Sequence, residues 1–237
     1  MPSVMIKAVL FDIGDVLFDE DVPHTWLFNC CLLALREAGK QITWDEYNAA
    51  RIRLATEGSN PEDAIKESVL LYAADPAEGN GIWKKARAEY QRMRDVRPYG
   101  FLLDGIETVL KDLKKDFRLG VVANQHPQVV DALASYGVDA HFDTIVISEV
   151  VNLFKPDPAI FKMGLTNLGI EPGEAIFVGD RADNDVKPAK ALGMKTVRFK
   201  RGDQYIYFNP TAPEMTADVT VTDIGSLASA VRGLAAR

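Results

Sequence analysis

The residues able to do chemistry stand in separated clusters, each at the end of an apolar run. Asp12, Gly14 and Asp15 follow Ala8–Phe11, and Asn124 and Gln125 follow the run at 119–123. Lys155 sits in Phe154-Lys-Pro-Asp-Pro158, and Gly179-Asp180-Arg-Ala-Asp183-Asn-Asp185 closes a fourth run. Together they offer a carboxylate nucleophile, hard oxygen donors, an ammonium and amide groups. Phosphoryl transfer needs that set: a nucleophile, a divalent cation held by oxygens, and positive or N–H groups for the transferred oxygens. Singly, each residue is ordinary. A carboxylate after a strand is as often a helix cap or turn residue, and a lysine before proline is usually only solvated.

The elements that must position these residues are legible in outline. Short apolar runs at Ala8–Phe11, 119–123, Thr144–Ile147, 175–178 and 196–199 alternate with helical periodicity at about 105–115, 127–136, Pro158–Leu168 and 186–192. That alternation predicts an α/β fold, a Rossmann-like doubly wound parallel sheet with helices on both faces. Ligands of such sheets bind beyond the carboxyl ends of the strands, where every cluster above falls. The stretch 19–98 breaks the rhythm. It holds helical patterns at about 26–38, 44–56, 61–72 and 82–94 and no clear strand. The expected organisation is therefore a core of residues 1–18 and 99–237 with a helical insert at 19–98, hinged near 18–23 and at Arg97-Pro-Tyr-Gly100. A last strand and helix are expected at about 218–234.

Composition narrows the classes. With 237 residues and 47% hydrophobic content the chain can bury a sizeable core. Lys plus Arg number 27 against 34 Asp plus Glu, a formal charge of −7 that argues against nucleic acid or an anionic membrane as partner. No apolar run approaches the roughly 18 residues of a membrane span, and the first one meets Asp12 too soon for a signal peptide, so a cytoplasmic location is expected. Nothing in the sequence sets an oligomeric state. Cys30 and Cys31 recur with Leu27, Ala34, Leu35 and Ala38 on one helical stripe, which points to packing rather than to a disulfide or metal site. Trp26, Phe28, Trp44, Tyr47 and Tyr72 read first as packing, with a substrate pocket as the alternative. His126, before Pro127, reads as a cap or surface residue, and Asp183 as exposed or a cap, with an outer-shell metal role as the alternative. His24 and His141 lack partners at metal-ligand spacing.

Phe-Asp-Ile-Gly, then Phe-Lys-Pro-Asp-Pro, then Val-Gly-Asp with Asn-Asp following resembles, in that order, the haloacid dehalogenase superfamily. The resemblance runs from Asp12 to about Leu192 and places the helical insert where the small-cap members carry their cap. It implies a hydrolase, most often a Mg²⁺-dependent phosphatase acting on a small phosphorylated metabolite through an aspartyl-phosphate, with the cap closing over the site. It implies Asp12 as nucleophile and Lys155 as the lysine that pairs with nucleophile and phosphate. Asp12, Asp180, Asp185 and the Gly14 carbonyl are then the groups around Mg²⁺, with Asp185 a direct ligand or a holder of bound water.

Two departures from the family's pattern stand out. Gly14 occupies the place of the second aspartate that exchanges protons with the leaving group, and Asp15 is displaced by one residue, which reads first as a turn or surface position, with a substitute acid/base as the alternative. Ala123 replaces the second motif's Ser or Thr, leaving the backbone N–H groups of Asn124 and Gln125 and the Asn124 amide as phosphate donors, with a plain strand-end turn at Asn124 and Gln125 as the alternative. Both departures keep two alternatives open: a metal-free 2-haloacid dehalogenase, or a binding or regulatory member with weakened catalysis. The dehalogenase is disfavoured because no arginine occurs between Asp12 and Arg36 to hold a substrate carboxylate.

Overall fold

The structure, a computed structural model, describes residues 5–94, 100–202 and 207–237. Eight strands are present among them: β1 (Ala8–Phe11), β2 (Phe18–Asp19), β3 (Phe101–Leu102), β4 (Arg118–Ala123), β5 (Thr144–Ile147), β6 (Ala175–Gly179), β7 (Lys195–Phe199) and β8 (Val219–Val221). Six form one sheet in the order β5-β4-β1-β6-β7-β8, every neighbouring pair parallel. The side chains of β1 and β6 are buried throughout, as in a parallel sheet covered on both faces. β2 and β3 form a separate antiparallel pair.

Helices α1 (Asp21–Glu37), α2 (Trp44–Glu57), α3 (Pro61–Leu70) and α4 (Pro76–Arg94) precede β3. Then come α5 (Ile106–Leu113), α6 (Gln128–Ser135), α7 (Ser148–Val151), α8 (Pro158–Leu168), α9 (Lys187–Ala191) and α10 (Leu227–Ala235). Chain contacts divide the molecule into two compact units. One comprises the described parts of Met1–Asp19, Phe101–Arg201 and Pro210–Arg237, and the other those of Glu20–Gly100 and Gly202–Asn209. The hinge expected at 97–100 lies, apart from Gly100, outside the described residues.

In the core unit, Leu10, Val122, Ile160, Phe161, Leu165 and Phe177 form one cluster, with the Phe161 and Phe177 rings 5.0 Å apart between centroids. α8 lies close against β4 because Gly164 carries no side chain; a Cβ there would stand 2.7 Å from Val122 Cγ2. The helical unit has its own core, in which Leu27, Phe28, Cys30, Cys31, Leu35, Tyr47, Ile65 and Val69 pack together. Burial pushes the Cys31 thiol up to about 12, as its reading as a small hydrophobe requires. α2 opens on a reciprocal cap: the Thr43 hydroxyl accepts from Glu46 N–H at 3.2 Å, and Glu46 Oε2 accepts from Thr43 N–H at 2.9 Å.

Candidate active site

β1 ends at Phe11, and Asp12 N–H donates to Val178 O of β6 at 2.9 Å, so the first cluster begins while still tied to the neighbouring strand. The chain then turns tightly. Leu17 and Phe18 both donate backbone N–H groups to Ile13 O, at 2.8 and 3.0 Å, and Asp15 N–H donates to Phe18 O at 2.8 Å. Asp15 takes a left-handed φ of 52°, a conformation that Asp tolerates better than most residues. The turn part of the expectation for Asp15 is met, but the surface part is corrected: Asp15 is fully buried, and its charge is felt at Asp180.

Lys155 is delivered by the connection between α7 and α8. Asp157 N–H closes a turn onto Phe154 O at 2.9 Å, and the Asp157 side chain caps α8 through Ala159 N–H at 2.8 Å, with Pro158 at the first helical position. Lys155 Nζ lies 2.7 Å from Asp12 Oδ1 and 2.6 Å from Asp185 Oδ1, and all three residues are buried. Burial alone would lower its pKa, but the two carboxylates outweigh burial and hold it above the ordinary lysine value, so Lys155 is a fixed cation rather than a proton carrier.

The fourth cluster follows β6. Ala182–Val186 forms a single wide helical turn, in which Asp185 Oδ2 accepts from Arg181 N–H at 2.9 Å. Gly179 is needed here for space: a Cβ would stand 2.5 Å from Asp185 Cβ. Arg181 pairs in fork geometry with Asp183, at 3.1 and 2.7 Å, so Asp183 is occupied locally rather than simply exposed. One oxygen each from Asp12, Asp180 and Asp185 lies within 4.8 Å of the others. Asp180 Oδ2 is buried and has no hydrogen-bond partner among the described residues. Burial, then repulsion from Asp185, Asp12 and Asp15, pushes the Asp180 carboxyl well above the carboxylate range. Burial likewise raises Asp185 to about 6 in spite of Lys155.

The second cluster behaves differently from its reading in the sequence. Asn124 Nδ2 donates to Lys155 O at 2.8 Å, and Asn124 Oδ1 accepts from Lys155 N–H at 2.7 Å. The amide expected to face phosphate is a two-point clamp on the lysine's own backbone. Gln125 N–H, another expected donor, bonds the hydroxyl of buried Ser148 at 3.1 Å. His126 Nδ1 accepts from Gln128 N–H at 3.3 Å, the helix-start role its place before Pro127 suggested. Sequence reasoning missed Ser148 and Arg198. Arg198 is a buried residue of β7 whose Nε donates to Asp180 O at 2.8 Å. The one available signal for Arg198 was a charge between the apolar residues Val197 and Phe199 of a short strand.

Fold and site together define a Rossmann-like α/β hydrolase, with a buried lysine and a carboxylate cluster at the carboxyl ends of its central strands. The chain belongs to the haloacid dehalogenase-like hydrolase family, which it matches over residues 6–193. A glyceraldehyde 3-phosphate phosphatase of Methanopyrus kandleri is 30% identical over 235 residues, covering 98% of this chain and 99% of the relative. A phosphoserine phosphatase of Thermus thermophilus is 26% identical over 213 residues, covering 89% and 80%. Among solved structures, a haloacid dehalogenase-type phosphatase from Thermococcus onnurineus aligns with a TM-score of 0.60 at 24% identity, over 96% of this chain and 99% of that one. A 2-haloacid dehalogenase from Pseudomonas syringae aligns at 0.59 and 20%, over 97% and 100%. These two likenesses show the fold alone. No helix among the described residues is long and apolar enough to cross a membrane.

Proposed function

We propose that this chain is a Mg²⁺-dependent phosphatase that hydrolyses a small phosphorylated metabolite through a covalent intermediate on Asp12. The observation that carries the proposal is the convergence of Asp12, Asp180 and Asp185 oxygens within 4.8 Å, with Lys155 Nζ bridging Asp12 and Asp185. The names of the phosphatase relatives support the phosphate ester as substrate.

The donor set fits a hard divalent cation. The buried carboxylates of the core unit, Asp12, Asp15, Asp180 and Asp185, outnumber its buried cations, Lys155 and Arg198, by two. Buried charge of one sign is costly unless compensated, and Asp180 Oδ2 is buried with no hydrogen-bond partner among the described residues. Asp12, Asp180, Asp185 and the Gly14 carbonyl would hold Mg²⁺, which when bound neutralises the phosphate and aligns it for in-line displacement.

The chain's own residues do the rest. An Asp12 oxygen attacks phosphorus as the bond to the leaving oxygen breaks, and Lys155 compensates the negative charge held between Asp12 and the transferred group. Asn124 keeps Lys155 in place through its backbone. Water then attacks phosphorus, phosphate departs, and Asp12 is restored. Gly14 offers no side chain to protonate the leaving oxygen, so we assign that proton to water, the substrate or the helical cap.

The test is turnover of an aryl phosphate, glyceraldehyde 3-phosphate, phosphoserine and a panel of sugar and nucleotide phosphates, with Mg²⁺ or EDTA, by the native chain and by Asp12→Asn. Phosphate release is expected with the native chain in Mg²⁺ only. Turnover on no member of the panel would overturn the proposal, and chloride release from a 2-haloacid in EDTA would replace it with the dehalogenase reading.

A further inference from the structure

Strand β7 reads Lys195-Thr-Val-Arg198-Phe199, and Arg198 is only 6% exposed. A buried guanidinium is expensive unless it is bonded, and an aliphatic residue would serve the sheet better at this position. Strand register sets Arg198 beside Gly179, the last residue of β6. From there its Nε reaches past the strand end to the carbonyl of Asp180, at 2.8 Å. The loop is held a second time one residue on, where Arg181 N–H binds Asp185 Oδ2 at 2.9 Å. The peptide that follows Asp180 is thus held at its carbonyl and at its N–H, while Asp180's own buried Oδ2 meets no partner among the described residues. A carboxylate that is aimed but left unbonded is suited to a ligand whose bond directions matter.

We propose that Arg198 is a positioning residue for the cation site: by fixing the Asp180 peptide it sets the direction of the Asp180 carboxylate and gives the site its preference for Mg²⁺ over Ca²⁺. The proposal rests on the metal reading given above. Mg²⁺ demands near-ideal octahedral geometry at short distance, whereas Ca²⁺ accepts flexible, higher coordination. A loosened Asp180 therefore penalises Mg²⁺ more. The guanidinium charge acts alike on two cations of equal charge, so the ratio of their affinities isolates direction from electrostatics.

The experiment is calorimetric titration of the metal-free chain with Mg²⁺ and, separately, with Ca²⁺, without substrate, for the native protein, Arg198→Met and Arg198→Lys. Loss of a group that orients a metal ligand costs about 10- to 100-fold in metal affinity, so the Mg²⁺/Ca²⁺ affinity ratio is expected to fall roughly tenfold in Arg198→Met. It should fall less in Arg198→Lys, which keeps the charge and a donor but loses the planar fork. Should Arg198→Met fail to fold by circular dichroism, Arg198→Lys decides alone: a ratio reduced by about threefold supports the proposal and the native ratio overturns it. Affinities that change for both cations by one common factor would show a charge effect only and overturn it. If the native chain binds neither cation, the metal reading falls and this inference with it.

Discussion

Replacing Asn124 tests whether the second cluster acts on phosphate directly or through Lys155. Asn124→Ala removes both hydrogen bonds of the clamp, at 2.8 and 2.7 Å, and frees the Lys155 backbone between β4 and α8. Each such bond is worth about 1 kcal/mol net, so about 2 kcal/mol of restraint on the lysine is lost. If that restraint is spent in holding Nζ against Asp12, the same figure is roughly 30-fold in kcat. The assay is steady-state hydrolysis of an aryl phosphate in saturating Mg²⁺ by native, Asn124→Ala, Lys155→Met and the double variant, with thermal melts to confirm folding. A residue that works only through Lys155 adds nothing once the ammonium is gone, so the double variant should match Lys155→Met. Additive losses would refute the clamp and return Asn124 to the phosphate, and an unchanged kcat in Asn124→Ala would refute both roles.

Other consequences are as direct. Gly179→Ala puts a Cβ 2.5 Å from Asp185 Cβ, and the overpacking should cost about 1–3 kcal/mol in chemical denaturation; native stability would show that the turn yields freely. Asp180 and Asp185 are both raised above their unfolded values, Asp185 to about 6. The metal-free fold therefore binds extra protons in this range and loses stability as pH rises through it, whereas a bound cation relieves the repulsion. The rise in melting temperature on adding Mg²⁺ should accordingly be larger at about pH 7.5 than at about pH 5, and an equal rise at both would contradict the carboxylate site. Thr43→Ala removes the hydroxyl that caps α2 and should cost the helical unit about 1 kcal/mol, read by denaturant unfolding of the full chain, while leaving Mg²⁺ affinity in the core unchanged.

How much was legible follows the range of the forces involved. The runs at Ala8–Phe11 and Thr144–Ile147 became strands at those bounds, and Pro158–Leu168 a helix, because buried strands and proline-started helices are written in neighbouring residues. The gathering of Asp12, Lys155 and Asp185 was also foreseeable, since each lies in a connection beyond the carboxyl end of a strand, and strand ends of a parallel sheet share one edge. Side-chain partnerships were another matter. Asn124 looked like a free donor because its partner, the Lys155 backbone, is distant in sequence and adjacent only through the fold. Asp15 looked superficial because burial of a turn depends on what lies over it.

The sequence by itself determined the kind of sheet, the helical insert and the chemical inventory at the strand ends, since these depend on local periodicity and residue type. Only the tertiary structure decided how that inventory is shared out. Strand order set β1 between β4 and β6, and β7 beside β6. That order joins Lys155 to two carboxylates and Asn124 to Lys155, and lets Arg198 reach Asp180. Hydrogen bonds and ion pairs act over a few ångströms of space, and the register between strands, rather than spacing along the chain, determines which groups come within reach.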